Sequence, residues 1–309
     1  VNKSDLASID RVAEALAEQR YIADRALATT VYLAISLEKP IFLEGEAGVG
    51  KTELAKVLAE ILGTELIRLQ CYEGLDSQTA LYEWDYPRQM LEVRLQEARG
   101  VERQAIGADI FSEEFLLKRP LLRAIQAEGP ETPVLLIDEV DRSDEEFEAF
   151  LLEILSDFQI TVPEIGTLTA RQIPVVVLTS NRTRELHDAL KRRCLYHWID
   201  YPDVEKEAEI VRVRVPGIDS SFAAQLAHFM GRIRGEDLYK RPGIAETIDW
   251  AQALLVLGAT GLDAEIIDAT LGCILKYKGD MDRLRASGLG NLADDARQAR
   301  DLAAAPMTR

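Results

Sequence analysis

The chain has 309 residues, 47% hydrophobic and 29% charged, and its 53 Asp and Glu against 36 Lys and Arg leave a formal charge of −17. That length suits two domains of roughly 100 to 200 residues, the composition excludes extended disorder, and no apolar run reaches the length of about 18 residues that a membrane span needs. The acidic balance sets the average surface against phosphate backbones and no basic run exceeds a few residues, so nucleic acid is a poor candidate partner.

In chain order, residues 5–37 read as two helices broken near Arg20, with Leu6, Ile9, Val12, Ala13 and Leu16 at helical spacing. The opening VNKSDLASIDRVAEALAEQ lacks the basic-then-apolar order of a secretion signal, so a cytoplasmic location is expected. The period then changes. IFLEG (41–45), LIRLQC (66–71), VLLID (134–138), PVVVLTS (174–180) and YHWID (196–200) are short apolar or aromatic runs separated by helical patterning, which predicts five parallel strands buried between helices. After Tyr201-Pro202 only helices are predicted, over 204–214, 219–233, 244–257, 263–277 and 291–304, with Pro216-Gly217, Pro242-Gly243 and Gly258 or Gly261 as breaks. The chain thus divides into an α/β part, 1–203, and a helical part, 204–309. Two segments fit neither layer: a long insertion, 72–112, and a hairpin, 158–173, with Pro163 and Gly166 in its turn region. In the insertion, Tyr82, Trp84 and Tyr86 either pack on one another or meet a partner protein. Cys71, Cys194 and Cys273 lie far apart without a C-x-x-C pair and read as free thiols, not as a zinc site or disulfides.

GEAGVGKT, residues 45–52, fits G-x-x-x-x-G-K-[ST] and stands after a strand and before a helix, as a phosphate-binding loop must. Gly45, Glu46, Ala47, Gly48, Val49 and Gly50 would turn backbone N–H groups toward phosphate, the N-terminus of the following helix adds partial positive charge, and Glu53 on its first turn is counted with the nucleotide-binding residues. Lys51 would reach the β and γ phosphates of ATP, and Thr52 would ligate Mg²⁺. VLLIDEVD, 134–141, carries a buried strand to its edge, where Asp138 can hold Mg²⁺ and Glu139 can polarise an attacking water. Asp141, Asp144, Glu145 and Glu146 read as the charged start of a helix. Asn181 ends the fourth strand; it could position water or sense the γ phosphate, or it could cap a helix over RTRELHDAL.

With these elements in this order the chain resembles the AAA+ ATPases, and in its insertion, in LLEILSDFQITV before the hairpin and in its helical end it is similar to the MoxR family, CoxD-like members included. The resemblance covers about residues 20–290. It implies an αβα P-loop domain with strand order 5-1-4-3-2, a C-terminal helical lid, and a homo-oligomeric ring, expected to be a hexamer. It implies that LKRRC, 190–194, supplies an arginine finger to a neighbouring subunit, Arg193 first and Arg192 second. Tyr21 and Ile22 stand where relatives cover adenine, unless they only pack in the core. Many relatives carry a second sensor arginine at the start of a lid helix; here the stretch is LYKRPGIAETIDW, with Gly243 near that place and Arg241 two residues earlier. The implied activity is ATP hydrolysis that remodels or activates a protein client, with a von Willebrand A-type (VWA) partner or metalloenzyme maturation as family precedents. The rivals are a nucleic-acid ATPase, a nucleotide-gated scaffold with little turnover, and a metabolite kinase.

Overall fold

The computed structural model describes residues 3–100, 110–129 and 132–304; residues 101–109 of the expected insertion and 305–309 of the expected lid lie outside them. The chain forms two compact units, one of Val1–Ala15, Asp24–Glu44 and Thr52–Trp198, the other of Leu16–Ala23, Gly45–Lys51 and Ile199–Arg309. The main change of unit thus falls after Trp198, and the phosphate loop groups with the helical residues.

The first unit is built on strands β1 (Ile41–Gly45), β2 (Leu66–Gln70), β5 (Val134–Asp138), β8 (Val175–Ser180) and β9 (Leu195–Ile199). Their order across the sheet is β2-β5-β8-β1-β9, which, numbering these five alone, reads 5-1-4-3-2 from the far edge. Strand β8 pairs parallel with β5 and with β1, Leu136 standing opposite Val177 on one side and Ile41 opposite Val177 on the other. Every residue of β1, β5 and β8 is buried, which is why these strands read as continuous apolar runs. Edge strand β2 alternates instead, Ile67 and Leu69 inward, Arg68 and Gln70 outward. Helices α1 (Ile9–Glu18), α2 (Arg25–Leu37) and α3 (Lys51–Leu62) come first, and Arg20, at φ 60°, makes the break between the first two.

The described part of the insertion is built around a second, two-stranded sheet. Short helix α4 (Ser77–Leu81) leads into β3 (Tyr82–Trp84), which pairs antiparallel with β4 (Leu116–Lys118), and α5 (Tyr86–Ala98) lies between them in sequence. Trp84 is buried with its ring edge-on to Phe111 at 5.3 Å, Tyr82 is half-buried, and Tyr86 is exposed. Helix α6 (Pro120–Ile125) and α7 (Glu145–Asp157) follow; Asp144 caps α7, accepting from Phe147 N at 2.8 Å. The hairpin is present as β6 (Gln159–Val162) and β7 (Gly166–Thr169), with Val162 opposite Gly166. Helix α8 (Asp188–Arg193) is shorter than RTRELHDAL suggested, and its cap is His187, whose Nδ1 accepts from Ala189 N.

The helical unit packs α9 (Val204–Arg214), α10 (Ser220–Arg234), α11 (Ile244–Val256) and α12 (Ala264–Ile274) around Phe222, Phe229, Trp250, Leu254 and Leu271. Asp203, Asp219 and Asp263 cap three of these helices, each worth about 1 kcal/mol, so part of the acidic excess serves the backbone. The helix expected over 263–277 stops at Ile274, and a further helix, α13 (Lys278–Ser287), precedes α14 (Leu289–Ala304). No described helix is long and apolar enough to cross a membrane.

All three cysteines are free, Cys71 and Cys194 buried and Cys273 half-buried. Burial pushes both buried thiols up to about 12, helped at Cys71 by the charges of Asp138, Asp141 and Glu139. At pH 8 a colorimetric thiol reagent should therefore modify Cys273 first and reach Cys71 and Cys194 only with denaturant. Rapid modification of all three in the native protein would contradict the burial.

Candidate nucleotide site

In the first unit the acidic centre is assembled at the C-terminal edge of the sheet. The β2–β5 register sets Gln70 opposite Asp138, the last residue of β5. Asp138 is buried, and both its oxygens are engaged. Oδ1 accepts from the hydroxyls of Thr52 at 3.0 Å and Thr179 at 2.5 Å, while Oδ2 accepts from Arg68 Nε at 3.1 Å and Nη2 at 2.5 Å. Thr179 Oγ1 also accepts from Glu139 N at 2.9 Å, so one hydroxyl of β8 ties the two acids together.

Glu139 leaves the strand with φ 55° and ψ 50°, a left-handed conformation that costs a non-glycine residue about 1–3 kcal/mol. The turn it makes leaves its carboxylate about one-third exposed, unlike that of Asp138. Asn181 Nδ2 donates to Glu139 Oε1 at 3.4 Å, and Gln70 Nε2 and Arg142 Nη1 donate to Oε2 at 3.1 and 3.3 Å. No helix begins at Asn181, so the capping alternative does not hold; its side chain faces the acid instead.

Asp141 is not part of a solvated helix start. It lies in a 3-10 turn, Val140–Arg142, is buried, and accepts from Asn181 N, Thr183 N and Thr183 Oγ1, the last at 2.7 Å. A second buried acid, Glu148 of α7, pairs with Arg184 and accepts from His187 N at 2.8 Å. These two acids fix the loop that carries Asn181 and leads to the basic triplet Lys191, Arg192 and Arg193 at the end of α8. There Arg192 and Arg193 are both exposed; Arg193 Nε donates to Ser156 Oγ at 2.5 Å, and Arg192 makes no hydrogen bond or ion pair among the described residues. Glu53, on α3, pairs with Lys56 at 3.2 Å.

In the second unit the phosphate loop has Gly48 at φ 77° and Gly50 at φ 96°, which side chains rarely tolerate. Lys51 is buried, and its ammonium donates to the loop carbonyls Gly45 O at 2.7 Å and Glu46 O at 2.6 Å. Tyr21 OH donates to Gly50 O at 3.4 Å, and Ile22 beside it is half-buried. Ala47 and Glu46 are exposed, and Val49 is buried.

The first turn of α11 lies on this loop. Ala245 N donates to Gly48 O at 3.3 Å, and Glu246 accepts from Gly243 N at 3.0 Å. A Cβ on Gly243 would stand 2.8 Å from Ala47 O and 2.9 Å from Gly48 Cα, so an arginine side chain has no room there. Arg241 is exposed, and its charge, with those of Arg234, Glu46 and Glu246, acts on the Tyr201 phenol, which burial pushes up. The turn is held from beneath by buried Arg234, which donates to Pro242 O at 2.8 Å and forms a two-pronged pair with buried Glu207.

Sequence reasoning passed over Arg68, Gln70, Thr179 and the Glu207–Arg234 pair. The signal for the first two was polar residues two apart on an edge strand, which share one face. Thr52 and Asp138 offer hard oxygens 3.0 Å apart, a set suited to Mg²⁺, which takes one or two carboxylates and completes its shell with phosphate and water. No group of three or more His, Cys, Asp or Glu that could hold a metal ion by itself occurs among the described residues.

A Staphylococcus aureus protein (strain bovine RF122 / ET3-1), itself uncharacterized, is 26% identical over 229 residues, 72% of this chain and 77% of that protein. One from strain USA300 is 27% identical over 175 residues, 54% and 57% of the two chains. Among solved structures, the Thermotoga maritima RuvB Holliday junction branch migration motor matches at 20% identity and TM-score 0.44, covering 80% of this chain and 67% of that one. A presumptive ATPase of Cytophaga hutchinsonii matches at 16% identity and TM-score 0.47, covering 97% and 95%. The sequence profile of the AAA domain, dynein-related subfamily, matches residues 40–194, from β1 to the end of the basic triplet, and the chain belongs to that family.

Proposed function

We propose that the chain is a Mg²⁺-dependent ATPase of the MoxR type, a cytoplasmic chaperone that forms a homo-oligomeric ring, hexameric by family precedent, and remodels or activates a protein client. The observation that carries this reading is the Thr52–Asp138–Thr179–Glu139–Asn181 network, in which one acid is buried against a hydroxyl and the other is turned out to solvent. Hydrolysis needs that division. Thr52 and Asp138 would hold Mg²⁺, which when bound neutralises charge on the β and γ phosphates. Glu139 orients a water and takes its proton, and Asn181, neutral and 3.4 Å from Glu139, positions water without competing for metal.

Residues 45–53 supply the loop and helix start that hold the phosphates of ATP, Lys51 the charge, Tyr21 and Ile22 the cover for adenine, and Arg241 the lid-side cation that Gly243 cannot be. Arg193 serves the active site of a neighbouring copy. The exposed Tyr86, Met90, Leu91 and Leu95 of α5 support a client-facing role for the insertion, directly or through a VWA-domain protein.

Phosphate release from ATP with Mg²⁺, abolished by EDTA, tests the activity, and a Glu139→Gln bait held in ATP should retain the client. Absence of turnover with intact ATP binding would favour a nucleotide-gated scaffold, and stimulation by DNA at physiological salt would favour a nucleic-acid ATPase.

A further inference from the structure

Asp138 already has a cation. Arg68 reaches its Oδ2 with Nε and Nη2 at 3.1 and 2.5 Å, and the pair joins a half-exposed guanidinium to a carboxylate that is 4% exposed. Oδ1 is taken by the hydroxyls of Thr52 and Thr179. A buried carboxylate stripped of its counter-charge is strongly disfavoured. Arg68 meets that need, but it also puts a full positive charge against the one carboxylate that the Mg²⁺ reading requires, and like charges that share a site within about 4–6 Å oppose each other. The guanidinium has somewhere else to go: its Nη2 also donates to Gln70 Oε1 at 2.5 Å, on the same face of β2.

We propose that Arg68 is the resident counter-cation of Asp138 and competes with Mg²⁺ for it, so that Arg68 sets how much divalent ion the site needs. The proposal rests on the reading of Asp138 as the Mg²⁺ carboxylate. Arg68 holds the carboxylate in place, and its guanidinium turns onto Gln70 Oε1 as it yields the carboxylate. It is a positioning residue, and its effect is read in binding, not in turnover.

The test is the affinity of a fluorescent ATP analogue for the whole chain as Mg²⁺ is titrated from EDTA upward, in the parent, Arg68→Gln and Arg68→Lys. For Arg68→Gln the half-saturating Mg²⁺ should fall about three- to tenfold, as fits loss of a half-exposed competing charge. Affinity in EDTA should stay within about twofold of the parent. Arg68→Lys, which keeps the charge and loses the fork, should fall between. A Mg²⁺ requirement that is unchanged or raised in both variants overturns the proposal, because Arg68 would then only shape the carboxylate for the metal. Thermal melting without nucleotide shows whether Arg68→Gln folds; if it does not, Arg68→Lys decides alone by the same criterion. A parent whose nucleotide binding ignores Mg²⁺ sinks the ATPase reading and this one with it, an outcome distinct from identical titrations in a Mg²⁺-dependent parent.

Discussion

Lys51→Ala loses ATP binding, whereas Glu139→Gln keeps it and loses turnover by about two orders of magnitude or more. The contrast follows from where the two charges sit. Lys51 is a buried cation inside the phosphate loop, held 2.7 and 2.6 Å from the carbonyls of Gly45 and Glu46, and no other ammonium or guanidinium lies within the motif GEAGVGKT. Its removal takes away the charge that meets the phosphates and leaves two carbonyls without their donor. Glu139 is different. Its carboxylate is tethered by Asn181, Gln70 and Arg142, and a glutamine can still accept from one of these amides, so the surroundings persist while the proton acceptor is gone. Titration of a fluorescent nucleotide, paired with phosphate release on the same samples, separates the two effects. Equal loss of binding in both variants would leave the assignment of Glu139 as base unsupported.

The parts of this site that sequence revealed are those encoded by contiguous residues. GEAGVGKT and VLLIDEVD carry chemistry and context within eight residues each, and fully buried strands announce themselves as apolar runs. What stayed hidden depends on partners far along the chain. Asp141 stands among five other acids between 138 and 146, and nothing local distinguishes it; only the return of the chain at Asn181 and Thr183, some forty residues later, buries it. Arg68 and Gln70 gained meaning from the register that sets Gln70 against Asp138. Helix α13 was missed for another reason. KGDMDRLRAS is mostly polar, with Leu284 its single fully buried apolar side chain, so its periodicity is too faint to read. The reverse holds at 182–187, where helical patterning continues through a loop that Asp141 and Glu148 hold open, and the helix starts only at Asp188. Local propensity there yields to two buried acids.

Arg193→Ala should bind ATP within about twofold of the parent and hydrolyse it about 10³ to 10⁵ times more slowly, the range an arginine finger contributes in comparable NTPases. Its own loop and acidic centre are untouched by the change, since its side-chain hydrogen bond to Ser156 Oγ lies on α7, away from Asp138 and Glu139 in sequence and in partners. If the arginine acts across a subunit boundary, mixing Arg193→Ala with Lys51→Ala should restore part of the activity. In a mixed ring some interfaces pair an intact loop from one variant with an intact arginine from the other, and neither pure ring contains such a pair. Parent activity per subunit should also rise with protein concentration as rings form. Arg192→Ala, tested in the same way, decides between neighbours: Arg192 is exposed and has no partner among the described residues, so rescue confined to Arg192→Ala would move the finger one position earlier. Ser156→Ala separates catalysis from local structure, because a merely structural Arg193 predicts that loss of its hydrogen-bond partner reproduces the defect and that no mixture rescues it. Absence of rescue at every ratio, with concentration-independent activity in the parent, would reduce the triplet to a charged helix end and remove the ring from the proposal.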